Sequence, residues 1–206
     1  MEIEKFVEKY NSEFNIAIQL IETSNLSGSS LKFFEGIDQS VNILTNIQNK
    51  KQKVYIVGNG GSAAIASHVA IDFLKNGNIS AMAFNDASLL TCISNDIGFG
   101  DVFAKPIEIH SKEGDLVICI SSSGESVNII NAAKTAKEKD CFLITLSGFD
   151  PKNKLRALGD VNFFVPSFSY GFAEIIHQFI LHSILDAKMY CYDGKDVFNK
   201  NTNIEK

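Results

Sequence analysis

Four side chains have the types and spacings of a reactive centre. His68 and Asp72 lie four residues apart in a helical stretch and share one face of it. Glu174 and His182 lie eight apart, about two turns, near one face of a later helix. Two carboxylates and two imidazoles on two helices suit a divalent zinc or iron site, or an acid–base pair for proton transfer. The same i,i+4 pairing also occurs as an ordinary contact on helix surfaces. His177 and Gln178 are spare polar groups beside them, and His110 reads as an exposed residue before a Ser-Lys-Glu-Gly turn.

A second chemistry sits in two Ser/Gly turns. Gly58-Asn59-Gly60-Gly61-Ser62 and Ser121-Ser122-Ser123-Gly124-Glu125-Ser126 each follow an apolar run and open a helical one. Glycines permit a tight backbone and close ligand approach. A helix start offers unpaired N–H groups and the positive end of a dipole. Together with the hydroxyls, these groups suit a phosphate. Neither turn has the GxGxxG spacing or the lysine of a P-loop, which argues against a nucleotide cofactor. Ordinary N-capping and turn formation would use the same residue types.

The elements that must hold these residues follow from periodicity. Short apolar runs at 53–57, 79–84, 115–120, 141–146 and 161–165 read as strands, and helical stretches separate them at 63–75, 87–111, 126–139 and 170–189. That alternation predicts an α/β fold, a three-layer αβα sandwich on a five-stranded, parallel, doubly wound sheet. Ligands of such sheets bind outside the carboxyl ends of the strands, where both Ser/Gly turns fall. Residues 1–50 read as two amphipathic helices, with stripes Phe6-Tyr10-Phe14-Ile18-Ile21 and Phe34-Ile37-Val41-Leu44-Ile47, separated by a Ser-rich break at 24–30. They must cover the sheet or another subunit. The organisation is thus 1–50 as helices for oligomer contacts, 51–190 as the α/β domain and 191–206 as a polar tail.

Composition narrows the partners. The 206 residues carry 19 basic and 24 acidic side chains, a net charge of −5. That balance argues against nucleic-acid binding, which needs a clustered basic face. Arg156 is the single arginine, so bidentate arginine clamps on phosphate are nearly excluded. No run is long and apolar enough for a membrane span, and no signal peptide is visible. Cys92, Cys119, Cys141 and Cys191 show no CxxC spacing. The first three sit in apolar stretches and read as buried thiols of a cytoplasmic protein.

On these strings the chain resembles the SIS (sugar isomerase) family, and within it the bacterial phosphoheptose isomerases. The matching segments run in order over roughly residues 1–190: Gly58-Asn59-Gly60-Gly61-Ser62-Ala63-Ala64 with His68, Ser94-Asn95-Asp96-Ile97-Gly98-Phe99, Ile120 to Ser126, Leu146-Ser147-Gly148, and Val165-Pro166-Ser167-Phe168 before the Glu174/His182 helix. The resemblance implies that Asn59, Gly60 and Gly61 line the sugar. It gives the phosphate to Ser62, Ser121, Ser123 and Ser126, with Ser122 in the same loop, and the sugar hydroxyls to Asn95 and Asp96. It puts zinc on His68, Asp72, Glu174 and His182, the general base on Asp72 and the acid on His182. It further implies a homotetramer, and conversion of sedoheptulose 7-phosphate to glycero-manno-heptose 7-phosphate for surface polysaccharide. This chain departs from the family at three places: Asp72 stands for a glutamate, Glu174 for a glutamine and Asn76 for an arginine. The alternatives are a different sugar phosphate, or a non-catalytic phosphosugar-binding or regulatory protein.

Overall fold

β-Branched and apolar runs with no polar face make strands that only a doubly covered sheet can hold. The computed structural model describes residues 2–199, so the part of the expected tail at 200–206 lies outside the described residues. In chain order the elements are α1 (Glu2–Gln19), β1 (Glu22–Asn25), β2 (Ser30–Leu31), α2 (Phe33–Asn49), β3 (Lys53–Gly58), α3 (Gly61–Lys75), β4 (Ser80–Ala83), α4 (Ala87–Asp96), α5 (Ala104–His110), β5 (Leu116–Ser121), α6 (Val127–Glu138), β6 (Phe142–Gly148), β7 (Val161–Val165) and α7 (Tyr170–Tyr192). The sheet order is β2-β1-β7-β6-β5-β3-β4. Its five strands β3 to β7 are parallel, as the alternation predicts.

The pleat sorts side chains into two cores. Val54 and Ile56 of β3 and Leu116, Ile118 and Ile120 of β5 point to the face covered by α2, α3 and α7. Tyr55, Val57, Val117 and Cys119 point to the other, under α5 and α6. That period of two, with apolar residues on both phases, makes the middle layer of the sandwich.

The Ser-rich break between the N-terminal helices holds more order than a linker. It forms β1 and β2, and the sheet therefore has seven strands. Asn25 Oδ1 accepts from the backbone N–H of Ser27 and Ser29 at 3.1 and 3.0 Å, which builds the turn between them. β1 then pairs antiparallel with β7 and covers an edge that would otherwise be bare. The single arginine serves this edge. Arg156 Nη2 donates to Glu22 Oε2 at 2.6 Å, and its guanidinium lies 4.3 Å from the centre of the Phe164 ring.

The N-terminal stripe is only half covered. Phe14, Ala17, Ile18 and Ile21 pack on the first core, whereas Ile3, Phe6 and Val7 are exposed. Cys119 and Cys141 are buried, and burial pushes both thiols up from the usual range. Cys92 corrects the expectation of a buried thiol: it is exposed, because α4 lies at the rim and buries none of its residues. No helix among the described residues is long and apolar enough to cross a membrane.

Candidate active site

β3 and β5 are neighbours, and the chain leaves their carboxyl ends for opposite faces, through α3 on one side and α6 on the other. That is a topological switch point, where an open parallel sheet forms a crevice. Both Ser/Gly turns sit there. They line a cavity of about 140 Å³ with Asn59, Ser62, Ile120, Ser121, Ser122, Ser123, Ser126, Tyr170 and Glu174.

The two turns are built to leave donors free. The residues preceding α3 and α6, Gly60 and Ser126, make no side-chain cap. The first N–H groups of both helices therefore lack the side-chain partner that helix starts usually have. Ser126 Oγ instead accepts from Ser121 Oγ at 3.3 Å. Ser121 Oγ also accepts from Gly124 N–H at 3.1 Å, which folds the loop on itself. Gly124 has φ +64°, and a Cβ there would fall 1.9 Å from Asn153 Oδ1. Glu125 turns outward to the N–H and Nζ of Lys154, and that partner holds its carboxyl below the usual carboxylate range. Ser122 Oγ is buried with no hydrogen-bond partner among the described residues. A buried hydroxyl left unpaired costs about 1–3 kcal/mol, which an anion's oxygen would offset.

Asn59 joins the two turns. Its amide exchanges two hydrogen bonds with Asn128, at 2.9 and 2.8 Å, across the crevice. Asn128 escapes sequence reasoning because α6 residues carry no motif; its one signal is its place two residues after Ser126. Tyr170 is also missed. It shares a face with Glu174 four residues on, and its ring meets Phe149 edge-on at 4.9 Å.

The second cluster lies further along α3. His68 Nε2 is 3.1 Å from Asp72 Oδ2, and His182 Nδ1 of α7 is 3.8 Å from the same oxygen. One ligand atom from each of His68, Asp72 and His182 lies within 4.8 Å of the others. Gln178 Nε2 is 3.4 Å from His182 Nε2, and Asn76 Nδ2 donates to Asp72 Oδ1 at 3.3 Å. Asp186, one turn past His182, has its carboxyl pushed up by burial and by the charge of Asp72, against the pull of His182. Two imidazole nitrogens converging on one carboxylate oxygen are a donor set that fits zinc or a similar divalent ion.

Glu174 stands apart from this trio. Its carboxylate crosses Gly61, where a Cβ would come within 2.4 Å of both oxygens, and it lines the serine cavity. Gly61 is thus the residue that lets α7 approach the start of α3. Asn95 and Asp96 end α4, bonded to each other at 2.8 Å, and neither lines that cavity. His177 is fully buried, with Nε2 3.1 Å from the Ser147 carbonyl. That acceptor requires the proton on Nε2 and leaves Nδ1 an acceptor with no partner among the described residues.

The SIS domain family matches residues 26–148. A phosphoheptose isomerase of Fusobacterium nucleatum is 34% identical over 185 residues, covering 87% of this chain and 91% of the relative. One from Helicobacter hepaticus is 35% identical over 202 residues, covering 94% and 96%. The solved phosphoheptose isomerase of Neisseria gonorrhoeae superposes with a TM-score of 0.80 at 30% identity, over 91% of this chain and 99% of that one. With the switch-point crevice, the serine turns and these relatives together, the chain belongs to the SIS family, among the phosphoheptose isomerases.

Proposed function

We propose that the protein is an aldose–ketose isomerase that interconverts sedoheptulose 7-phosphate and glycero-manno-heptose 7-phosphate. One observation carries this reading: α3 bears a phosphate-type turn at its start and His68 and Asp72 along its length, where His182 of α7 joins them. Ser62 and His68 are six residues apart, about 9 Å along a helix, a reach suited to an extended sugar phosphate. Ser62, Ser121, Ser122, Ser123 and Ser126 would hold the phosphate. Asn59, Gly60, Gly61, Asn95, Asp96 and Glu174 would meet the sugar. Binding energy from that remote anion orients the reacting end.

The reaction moves one proton between neighbouring carbons through an enediol. Asp72 takes the carbon-bound proton and returns it to the adjacent carbon. His182 passes the proton between the two oxygens. His68, Asp72 and His182 would hold zinc, which when bound polarises the sugar oxygens; Glu174, the fourth ligand that the resemblance implies, lies over Gly61 at the serine cavity instead. Residues 51–190 supply this domain and residues 1–50 supply contacts in a homotetramer; the exposed apolar end of α1 supports that assembly. The setting is the cytoplasm, on the route to nucleotide-heptose for surface polysaccharide.

The test is turnover of sedoheptulose 7-phosphate by purified protein, with zinc supplied and the aldose product followed. Asp72→Asn should lower kcat by about two to four orders of magnitude, the usual contribution of a general base. If no keto-sugar phosphate is converted under these conditions, the reading fails.

A further inference from the structure

Asp72 meets both imidazoles through one oxygen, Oδ2. A carboxylate's terminal torsion is broad and roughly two-fold, so nothing intrinsic to an aspartate keeps one oxygen there. The other oxygen has a partner: Asn76 Nδ2 donates to Oδ1 at 3.3 Å.

Asn76 is itself held. It is the last residue of the α3 cap, with its N–H on the Asp72 carbonyl at 2.8 Å and its own carbonyl accepting from Lys195 Nζ at 2.7 Å. The next two carbonyls, of Gly77 and Asn78, accept from Gln48 Nε2 at 3.1 and 3.4 Å. Gln48 Oε1 accepts from Lys188 Nζ, a fully buried ammonium on α7 that also donates to both Asp193 oxygens at 2.9 Å. Gly77 packs on Leu185 so closely that a Cβ would lie 2.8 Å from its Cδ1. A buried charge of this kind is kept only with full pairing. The turn bearing Asn76 is therefore tied to α2 and to α7, the helix that carries His182.

We propose that Asn76 is a positioning residue for Asp72: its amide holds Oδ1 so that Oδ2 faces His68 and His182, and the Lys188–Gln48 strut fixes that register against α7. The inference rests on the isomerase reading for its kinetic arm and stands on metal affinity for its other arm. Partners behind a metal-binding carboxylate typically contribute 10–100-fold in affinity or activity. Asn76 lies fourteen residues beyond Ser62, about 21 Å along the helix, so phosphate binding is outside its reach.

Three variants test it. Asn76→Ala should lower kcat about 10–100-fold, leave KM for sedoheptulose 7-phosphate within about twofold, and weaken zinc binding by a similar factor. Zinc affinity is read on metal-free protein by competition with a chromophoric chelator, and folding by the melting temperature. Asn76→Asp keeps the size but removes the donor and should do at least as much damage. Asn76→Gln keeps a donor and should recover most of both quantities. A merely structural role would lower the melting temperature without parting kcat from KM. If wild-type protein turns over no sugar phosphate, the isomerase reading falls and the zinc comparison decides the role of Asn76. If it binds no zinc, the kcat–KM split decides it. Asn76→Ala matching wild type within twofold in the quantity or quantities that decide overturns the proposal.

Discussion

At the scale of single residues, burial turns chemically similar groups to different uses. His68 and His182 are half-exposed and share a carboxylate, whereas His177 is sealed against the end of β6. Burial holds its imidazole down from 6.5 to about 4. The folded state thus keeps His177 neutral over a range in which the unfolded chain protonates it. Its contribution to stability is full above pH 6.5 and is lost as pH falls from there toward 4, by roughly 3 kcal/mol. Denaturant midpoints between pH 7.5 and 4.5 should fall accordingly. His177→Gln, which still donates to the Ser147 carbonyl, should flatten that fall; an unchanged slope would count against the assignment. The i,i+4 spacing of His68 and Asp72 was legible in the sequence, because helix geometry alone puts them on one face; the i,i+8 spacing of Glu174 and His182 was not enough, since two turns of rise carry Glu174 to the serine cavity. The bond from Asn76 to Asp72 and the pairing of Asn59 with Asn128 were not, because each depends on where a second element or a helix end comes to rest.

At the scale of elements, the proposed phosphate site joins a serine loop to the end of a helix. α6 begins with a residue whose hydroxyl does not cap it, and four serines gather where its N–H groups emerge. Each hydrogen bond to a phosphate oxygen is charge-assisted and contributes about 1.5–3 kcal/mol. Ser121→Ala and Ser126→Ala should therefore each raise KM about tenfold or more. Because Ser126 makes no cap bond, its loss should move the melting temperature little, and steady-state kinetics beside thermal melts separates the two effects. β3, β5, β6 and β7 were legible as largely apolar runs, since helices cover both faces of a parallel sheet. β1 and β2 were hidden. Glu22-Thr23-Ser24-Asn25 has no strand pattern, and it becomes a strand because β7 offers an open edge and Asn25 supplies the turn.

At the scale of the whole molecule, the proposed site of this acidic, arginine-poor chain offers an anion no basic side chain: its donors are hydroxyls and helix starts, and Arg156 is spent on a sheet edge. What the fold leaves unfinished is its N-terminal helix. Tyr10 and Phe14 clasp Phe172 of α7, with ring centres at 4.7 and 5.5 Å, so the far half of α1 is anchored. The near half is not, for Ile3, Phe6 and Val7 stand 76%, 61% and 48% exposed on one helix. Burying such a side chain is worth about 1.5–3 kcal/mol, and repetition by symmetry multiplies that in a closed assembly. Sedimentation of the 206-residue chain should show the proposed tetramer. Replacing Phe6 and Val7 together with aspartate should shift it to smaller species while far-ultraviolet dichroism stays that of the folded chain. Wild-type protein that remains monomeric at micromolar concentration, or a double variant that stays tetrameric, would place the subunit contacts elsewhere than α1.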